Sequence, residues 1–134
     1  MILPNGATVA VADGGKLRLF RNKGHEPHIV LTALPDPDVK TANRGSGARH
    51  TSAAANPDQD RLREDDFAAA AADFLNRQVL GGEIENLFVI ADPRTLGEMR
   101  RHFHDALKGR LAGSLAKDLT GHDPDAIAAA IARA

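Results

Sequence analysis

Hydrophobic and polar residues alternate differently along the chain, and each change of period marks a predicted element. The Val-rich residues 7–13 end at Asp13-Gly14-Gly15, which predicts a strand followed by a hairpin turn, because glycine accepts positive φ without strain. Residues 16–22 alternate between polar and apolar side chains, which is typical of a half-buried strand. Residues 28–34 form a third apolar run. Short turns join the three segments, so they are predicted to form a meander.

The second half of the chain contains helical patterns separated by strand patterns. Residues 60–80 are predicted to be a helix with an acidic start, ended by Gly81-Gly82. Its predicted buried face consists of Phe67, Ala70, Ala71, Phe74 and Leu75, and its acidic start of Asp60, Glu64, Asp65 and Asp66. Residues 86–91 are continuously apolar, which indicates a central strand covered on both faces.

Two helices and one strand complete the predicted order. Residues 93 to about 108 are predicted to be one helix with Leu96, Met99, Phe103 and Leu107 buried. Gly97 inside it is interpreted as a close approach to a neighbouring strand, since glycine costs about 1 kcal/mol relative to alanine in a helix. Residues 110–121 predict a fifth strand. The last helix starts at Pro124 and is predicted to bury Ala126, Ile127, Ala130 and Ile131.

This order predicts the fold class. The chain is expected to be a single α/β domain over residues 1–134, with a mixed five-stranded sheet (β-β-β-α-β-α-β-α) and helices on its faces. Residues 36–59 are predicted to be a long, flexible, basic loop between the third strand and the first helix. Loops of that length in compact domains are usually functional or disordered.

Composition narrows the classes of function. The 134 residues carry a net charge of -1, so attraction to nucleic acid would have to come from local patches. Cysteine is absent, which excludes thiolate chemistry and disulfides. No secretory signal or membrane-length apolar stretch is present, so we expect a cytoplasmic protein that does not bind membranes. No pair of histidines has convincing metal-ligand spacing, and neither a metal nor a cofactor is predicted.

Several stretches resemble a known bacterial family. The segments VADGGKLRLF, ADPRTLGEMRRHF, AKDLTG, RGSGARH and FAAAAADFL are similar to proteins described as required for attachment to host cells. Those proteins are in turn similar to the middle domain of archaeal and eukaryotic peptide release factors, an α/β fold related to ribonuclease H. The resemblance covers nearly the whole chain and implies a release-factor-like, ribonuclease-H-like domain.

The resemblance also implies a role for the long loop. In release factors the loop between the third strand and the first helix carries Gly-Gly-Gln, which reaches the peptidyl-tRNA ester. Here that stretch reads RGSGARH, and the only glutamine of the loop is Gln59, near the helix start. The resemblance therefore implies a non-enzymatic domain that associates with ribosomal RNA or tRNA. A host-attachment phenotype would then be indirect, because surface adhesion does not fit the missing export signal.

Basic residues and glycines are the predicted RNA-binding residues. Glycine lets the backbone approach a phosphate closely, and lysine and arginine neutralise it. The loop contributes Lys40, Arg44, Gly45, Gly47, Arg49 and His50. A second surface is predicted on the helix from residue 93, where Arg94, Arg101 and Lys108 follow one another at intervals of seven.

Two other classes of function stay open. Asp13 and Asp92 each follow a predicted strand, and if those strands are parallel neighbours, both carboxylates lie near one edge, where a nuclease or hydrolase could hold Mg²⁺. A simpler interpretation is that Asp13 belongs to a hairpin turn and Asp92 caps a helix. The third possibility is a protein-interaction module that acts through the loop or the sheet edge. No catalytic residue is assigned.

Overall fold

The computed structural model describes residues 2–39 and 57–134. The five strands are β1 (Thr8–Ala12), β2 (Leu17–Asn22), β3 (Leu31–Ala33), β4 (Leu87–Ala91) and β5 (Leu111–Ala116). The four helices in these ranges are α1 (Pro57–Leu80), α2 (Pro93–His102), α3 (Asp105–Lys108) and α4 (Pro124–Arg133).

The strands form one mixed sheet in the order β3-β2-β1-β4-β5. The hairpin pairs β1 with β2 antiparallel, and β3 lies antiparallel to β2 at one edge. The crossover through α1 makes β4 parallel to β1, and β5 is parallel to β4 at the other edge. The predicted single-domain α/β fold with a five-stranded mixed sheet is confirmed, while the likeness to ribonuclease H stays a prediction.

Both faces of the sheet are covered by helices, and each face has its own apolar core. On one face, Ala10, Leu19 and Val89 pack with residues of α1 and α2 such as Leu75 and Met99. On the other face the core contains Val9, Phe20, Phe88 and Ile90 together with Ile127 and Ile131 of α4. Every residue of β1 and β4 is buried, which explains why these strands are apolar without alternation.

The helix predicted over residues 93–108 is interrupted, and a side chain of α1 accounts for the break. Phe103 adopts an extended conformation (φ -69°, ψ 130°) and ends α2. Asn76 donates to the His102 carbonyl at 2.8 Å and accepts from the His104 N–H at 2.8 Å. These two bonds satisfy backbone groups that the break would leave without helical partners. The prediction of one continuous helix was wrong. The residue that stabilises the break, Asn76, is far from it in sequence, so the local pattern of apolar residues does not reveal it.

Other boundaries differ from the predictions. The helix α1 begins at Pro57 rather than at residue 60, and β3 and β5 are shorter than the predicted ranges 28–34 and 110–121. Gly97 is exposed, and a Cβ atom built on it would meet nothing within 4 Å, so the predicted close approach was wrong. Ala126 is also exposed, whereas Ile127 is buried as expected.

The buried face of α1 lies one position away from the predicted one. Its fully buried side chains are Ala68, Ala71, Ala72 and Leu75. Phe67 and Phe74 are only partly buried and pack against the edge of this core. Among the helices in the described ranges, none is long and apolar enough to cross a bilayer.

Candidate functional site

An open cleft of about 570 Å³ lies where the parallel strands end. Carboxylates and glycines line it: Asp13, Gly14, Gly15, Glu64, Asp92, Thr95 and Asp118. We call it the acidic cleft. Four carboxylic acids and one hydroxyl give the cleft its polar character.

The topology explains why these acids meet. Asp13 directly follows β1, Asp92 directly follows β4, and Asp118 comes shortly after β5. Because the three strands are parallel neighbours, their carboxyl ends lie at the same edge of the sheet. Asp13 and Asp92 were expected to lie near one edge only if their strands were parallel neighbours, and β1 and β4 are parallel neighbours. The sequence analysis missed Asp118, because the fifth strand was predicted to run to residue 121 and therefore included it, whereas the strand ends at Ala116.

Each of the three strand-end acids already has local hydrogen bonds. Asp13 Oδ1 accepts from the Gly15 N–H at 2.8 Å, as a hairpin-turn residue does. Asp92 accepts from the Thr95 N–H at 3.1 Å and caps α2. The Thr120 hydroxyl lies 2.9 Å from both Asp13 Oδ2 and Asp118 Oδ1. A hydroxyl has one proton, so it can donate to only one of these carboxylates at a time.

Glu64 reaches the cleft from α1 and sits against the hairpin turn. A Cβ atom on Gly14 would lie 2.8 Å from Glu64 Cγ, which is closer than real side chains pack. The small residue at position 14 thus lets α1 approach the end of β1. Sequence reasoning assigned Glu64 only to the helix start, because the contact depends on how α1 crosses the sheet.

The chemistry of the acidic cleft favours cations over phosphates. Its four acids repel anions, and Arg94, next in sequence to the cleft residue Thr95, donates from Nη2 to Oδ1 and Oδ2 of Asp65 at 3.1 and 3.0 Å. Across residues 2–39 and 57–134, no three His, Asp or Glu side chains are grouped so that they could hold a metal ion. The geometry described thus gives no direct support to a two-metal nuclease at Asp13 and Asp92.

The predicted RNA-binding residues fall into two sets. The loop residues lie outside the described residues: Lys40, Arg44, Gly45, Gly47, Arg49 and His50. The helix residues are placed, but they do not form one row. Arg94 and Arg101 lie on α2, whereas Lys108 is the last residue of α3. The premise of a single helix face was wrong, since α2 ends at His102.

Arg94 and Lys108 lie at opposite ends of the parallel strands. Arg94 follows the end of β4, whereas Lys108 precedes the start of β5, which runs parallel to β4. Arg101 is 75% exposed and contacts Glu98 at 3.3 Å. Exposed ion pairs of this kind contribute about 0–1 kcal/mol, so Arg101 can exchange its partner readily.

The fold and the site define a single α/β domain with a mixed sheet and an acidic cleft at the carboxyl ends of its parallel strands. A profile of the bacterial archaeo-eukaryotic release factor family 12 matches residues 6–131. The chain belongs to this family, and the predicted likeness to release factors is confirmed. Among curated proteins, no significant match to the chain is found.

Proposed function

We propose that this chain is a ribosome-associated, RNA-binding domain that resembles a release-factor middle domain and does not catalyse peptide release. The observation that carries the proposal is the family match over residues 6–131. Residues 40–56, which precede α1, contain Lys40, Arg44 and Arg49, and we call them the basic segment. These three residues are proposed to contact ribosomal RNA or tRNA. In this view a role in host attachment is an indirect consequence of an effect on translation.

The position of Gln59 supports the non-catalytic part of the proposal. It is the only glutamine between residues 36 and 59, and it lies inside α1, which begins at Pro57. Gln59 therefore belongs to a helix, and its neighbours in sequence are Asp58 and Asp60 instead of a pair of glycines. Without that arrangement the chain lacks the residue that release factors place at the ester.

The charge of the helices supports an RNA contact on α2 rather than α1. The sequence of α2 contains three arginines and one glutamate, whereas α1 contains six acidic and three basic residues. Phosphate would be attracted to α2 and repelled by α1 and by the acidic cleft. We therefore propose that RNA contacts Arg101 together with the basic residues Lys40, Arg44 and Arg49.

Co-sedimentation with ribosomes tests this function. The double variant Arg44→Glu/Arg49→Glu reverses two charges in the basic segment, and we expect it to abolish most ribosome binding at physiological salt. The matched control is Lys23→Glu/Arg133→Glu, which makes the same charge change at two exposed positions, one between β2 and β3 and one in α4. The control should bind as the unmodified chain does.

Pull-down from native cells with and without ribonuclease provides the second measurement. Ribosomal components should be recovered and should disappear after RNase treatment. Equal recovery with both double variants would contradict a contact through the basic segment. Loss of binding in both variants would show that net charge, and not this segment, governs the association.

A further inference from the structure

One edge of strand β5 pairs with no other strand in the part of the chain that the structure describes. It pairs with β4 on one side only, and it is the last strand of the sheet. Its six residues are half-buried or exposed, in contrast to the fully buried β4. A free strand edge offers a row of backbone N–H and C=O groups that can pair with another strand.

The residues of β5 leave this edge open to a partner. The strand reads LAGSLA, without charges, prolines or bulky polar side chains. A register shift at its start leaves the stretch from Gly113 to Ala116 in regular pairing with β4. Natural edge strands are commonly protected by charges or prolines within the strand, and β5 has neither.

Basic side chains surround the β5 edge. Arg110 precedes the strand and Lys117 follows it. Arg100 of α2 reaches across and donates to the Ser114 hydroxyl, a neutral group. Among the described residues, no carboxylate forms an ion pair with any of these three cations. The edge therefore has main-chain groups for pairing and three cations for recognition.

We propose that the β5 edge binds an extended peptide segment of a partner protein by adding a strand to the sheet, and that the segment carries carboxylates. Main-chain bonds would supply the affinity, and acidic side chains meeting Arg100, Arg110 and Lys117 would supply the selectivity. Arg100, Arg110 and Lys117 are not among the residues proposed to contact RNA, so the inference does not depend on that proposal.

Charge and composition favour this partner over two others. If a second copy paired antiparallel through β5, Arg110 of one chain would lie beside Lys117 of the other, and the like charges would repel. RNA is disfavoured because it has no peptide backbone that could pair with the open N–H and C=O groups of β5. An acidic strand satisfies both the backbone groups and the cations.

Titration of the ¹⁵N-labelled full chain with two synthetic peptides tests the inference by NMR. The probe is the capped heptapeptide Glu-Thr-Val-Thr-Val-Thr-Glu, and its control has lysine at both ends. We expect the acidic peptide to shift the amide signals of β5 and to slow their hydrogen exchange. The double variant Arg100→Glu/Lys117→Glu should weaken binding about tenfold or more, whereas Lys23→Glu/Arg133→Glu should leave it unchanged.

Four results would overturn the inference. The first is an absence of β5 shifts with the acidic peptide, and the second is equal binding of the lysine-flanked peptide. The third is a set of β5 shifts that depends on protein concentration alone, which would assign the edge to a second copy. The fourth is the same shifts with oligouridylate and none with the peptide, which would assign it to RNA. Amide spectra of each variant confirm that the fold is retained.

Discussion

Replacing Asn22 with alanine should destabilise the domain more than any exposed polar substitution. Asn22 ends β2 and is completely buried. Its side chain makes four hydrogen bonds to backbone groups. Nδ2 donates to the carbonyls of Leu3 and Pro4 at 3.0 and 3.1 Å, and Oδ1 accepts from the N–H groups of Gly24 and Val30 at 3.0 Å each. One amide thus fixes the N-terminal segment and the turn between β2 and β3.

The expected cost follows from these four bonds. Each intramolecular hydrogen bond contributes about 1 kcal/mol net, and a buried group left without a partner costs about 1–3 kcal/mol. Pro4 keeps a second bond, since its carbonyl also accepts from the Ala7 N–H at 3.2 Å. Water entering the space left by the amide offsets part of the loss. We therefore expect Asn22→Ala to lower the free energy of unfolding by about 3–5 kcal/mol.

Urea denaturation followed by far-UV circular dichroism measures this loss, because the chain has no Trp or Tyr to report by fluorescence. At an m-value of about 2 kcal/mol per molar urea, a loss of 4 kcal/mol lowers the midpoint by about 2 M. The control is Asn86→Ala, in which the side chain removed makes no hydrogen bond within the described residues. Equal midpoints for the two variants would refute the assignment of Asn22 as the residue that fixes this corner.

Three further predictions concern two glycines, Asn76 and a cleavage activity that would depend on Asp13. Gly97→Ala should stabilise the domain by about 0.5–1 kcal/mol in the same assay, since the position is helical and open, whereas Gly82→Ala should destabilise it because Gly82 has φ +82°; stabilisation by both would contradict the conformational argument. Asn76→Ala should cost about 2 kcal/mol and accelerate hydrogen exchange of the His104 amide, and unchanged exchange would show that the break between α2 and α3 does not depend on Asn76. The chain should not cleave an RNA–DNA hybrid in Mg²⁺, and a cleavage activity lost in Asp13→Asn would revive the nuclease alternative.

Local patterns predicted the elements well because each depends on its own residues. The apolar run of β4 indicated a covered strand, and Asp92 followed by Pro93 marked the start of α2 correctly. The break at Phe103 could not be predicted this way, because the periodicity of buried residues continues through it. Phe103 and Leu107 are both buried, so the apolar pattern is helical even where the backbone is not.

The site shows the same division between local and long-range information. The meeting of Asp13 and Asp92 follows from parallel pairing of β1 and β4, which the element order implied. The same reasoning did not reach Asp118, because the predicted fifth strand ran to residue 121, five residues beyond the end of β5 at Ala116. Glu64 enters through the crossing of α1 over the hairpin turn at Gly14, and no spacing in the sequence encodes that crossing.

The distribution of charge explains how a chain with a net charge of -1 can still be a candidate for RNA binding. Four acids line the cleft at one end of the sheet, namely Asp13, Glu64, Asp92 and Asp118. Among the described residues, Arg110 and Lys117 beside β5 form no ion pair, and Lys117 is next in sequence to Asp118 of the acidic cleft. At physiological salt a field decays over about 8 Å, so Arg110, at the other end of β5, is screened from the acids of the cleft, whereas Lys117 is not. We expect the acidic cleft to repel a phosphate-bearing partner and an acidic peptide alike, which leaves the basic segment and the β5 edge as the proposed contacts.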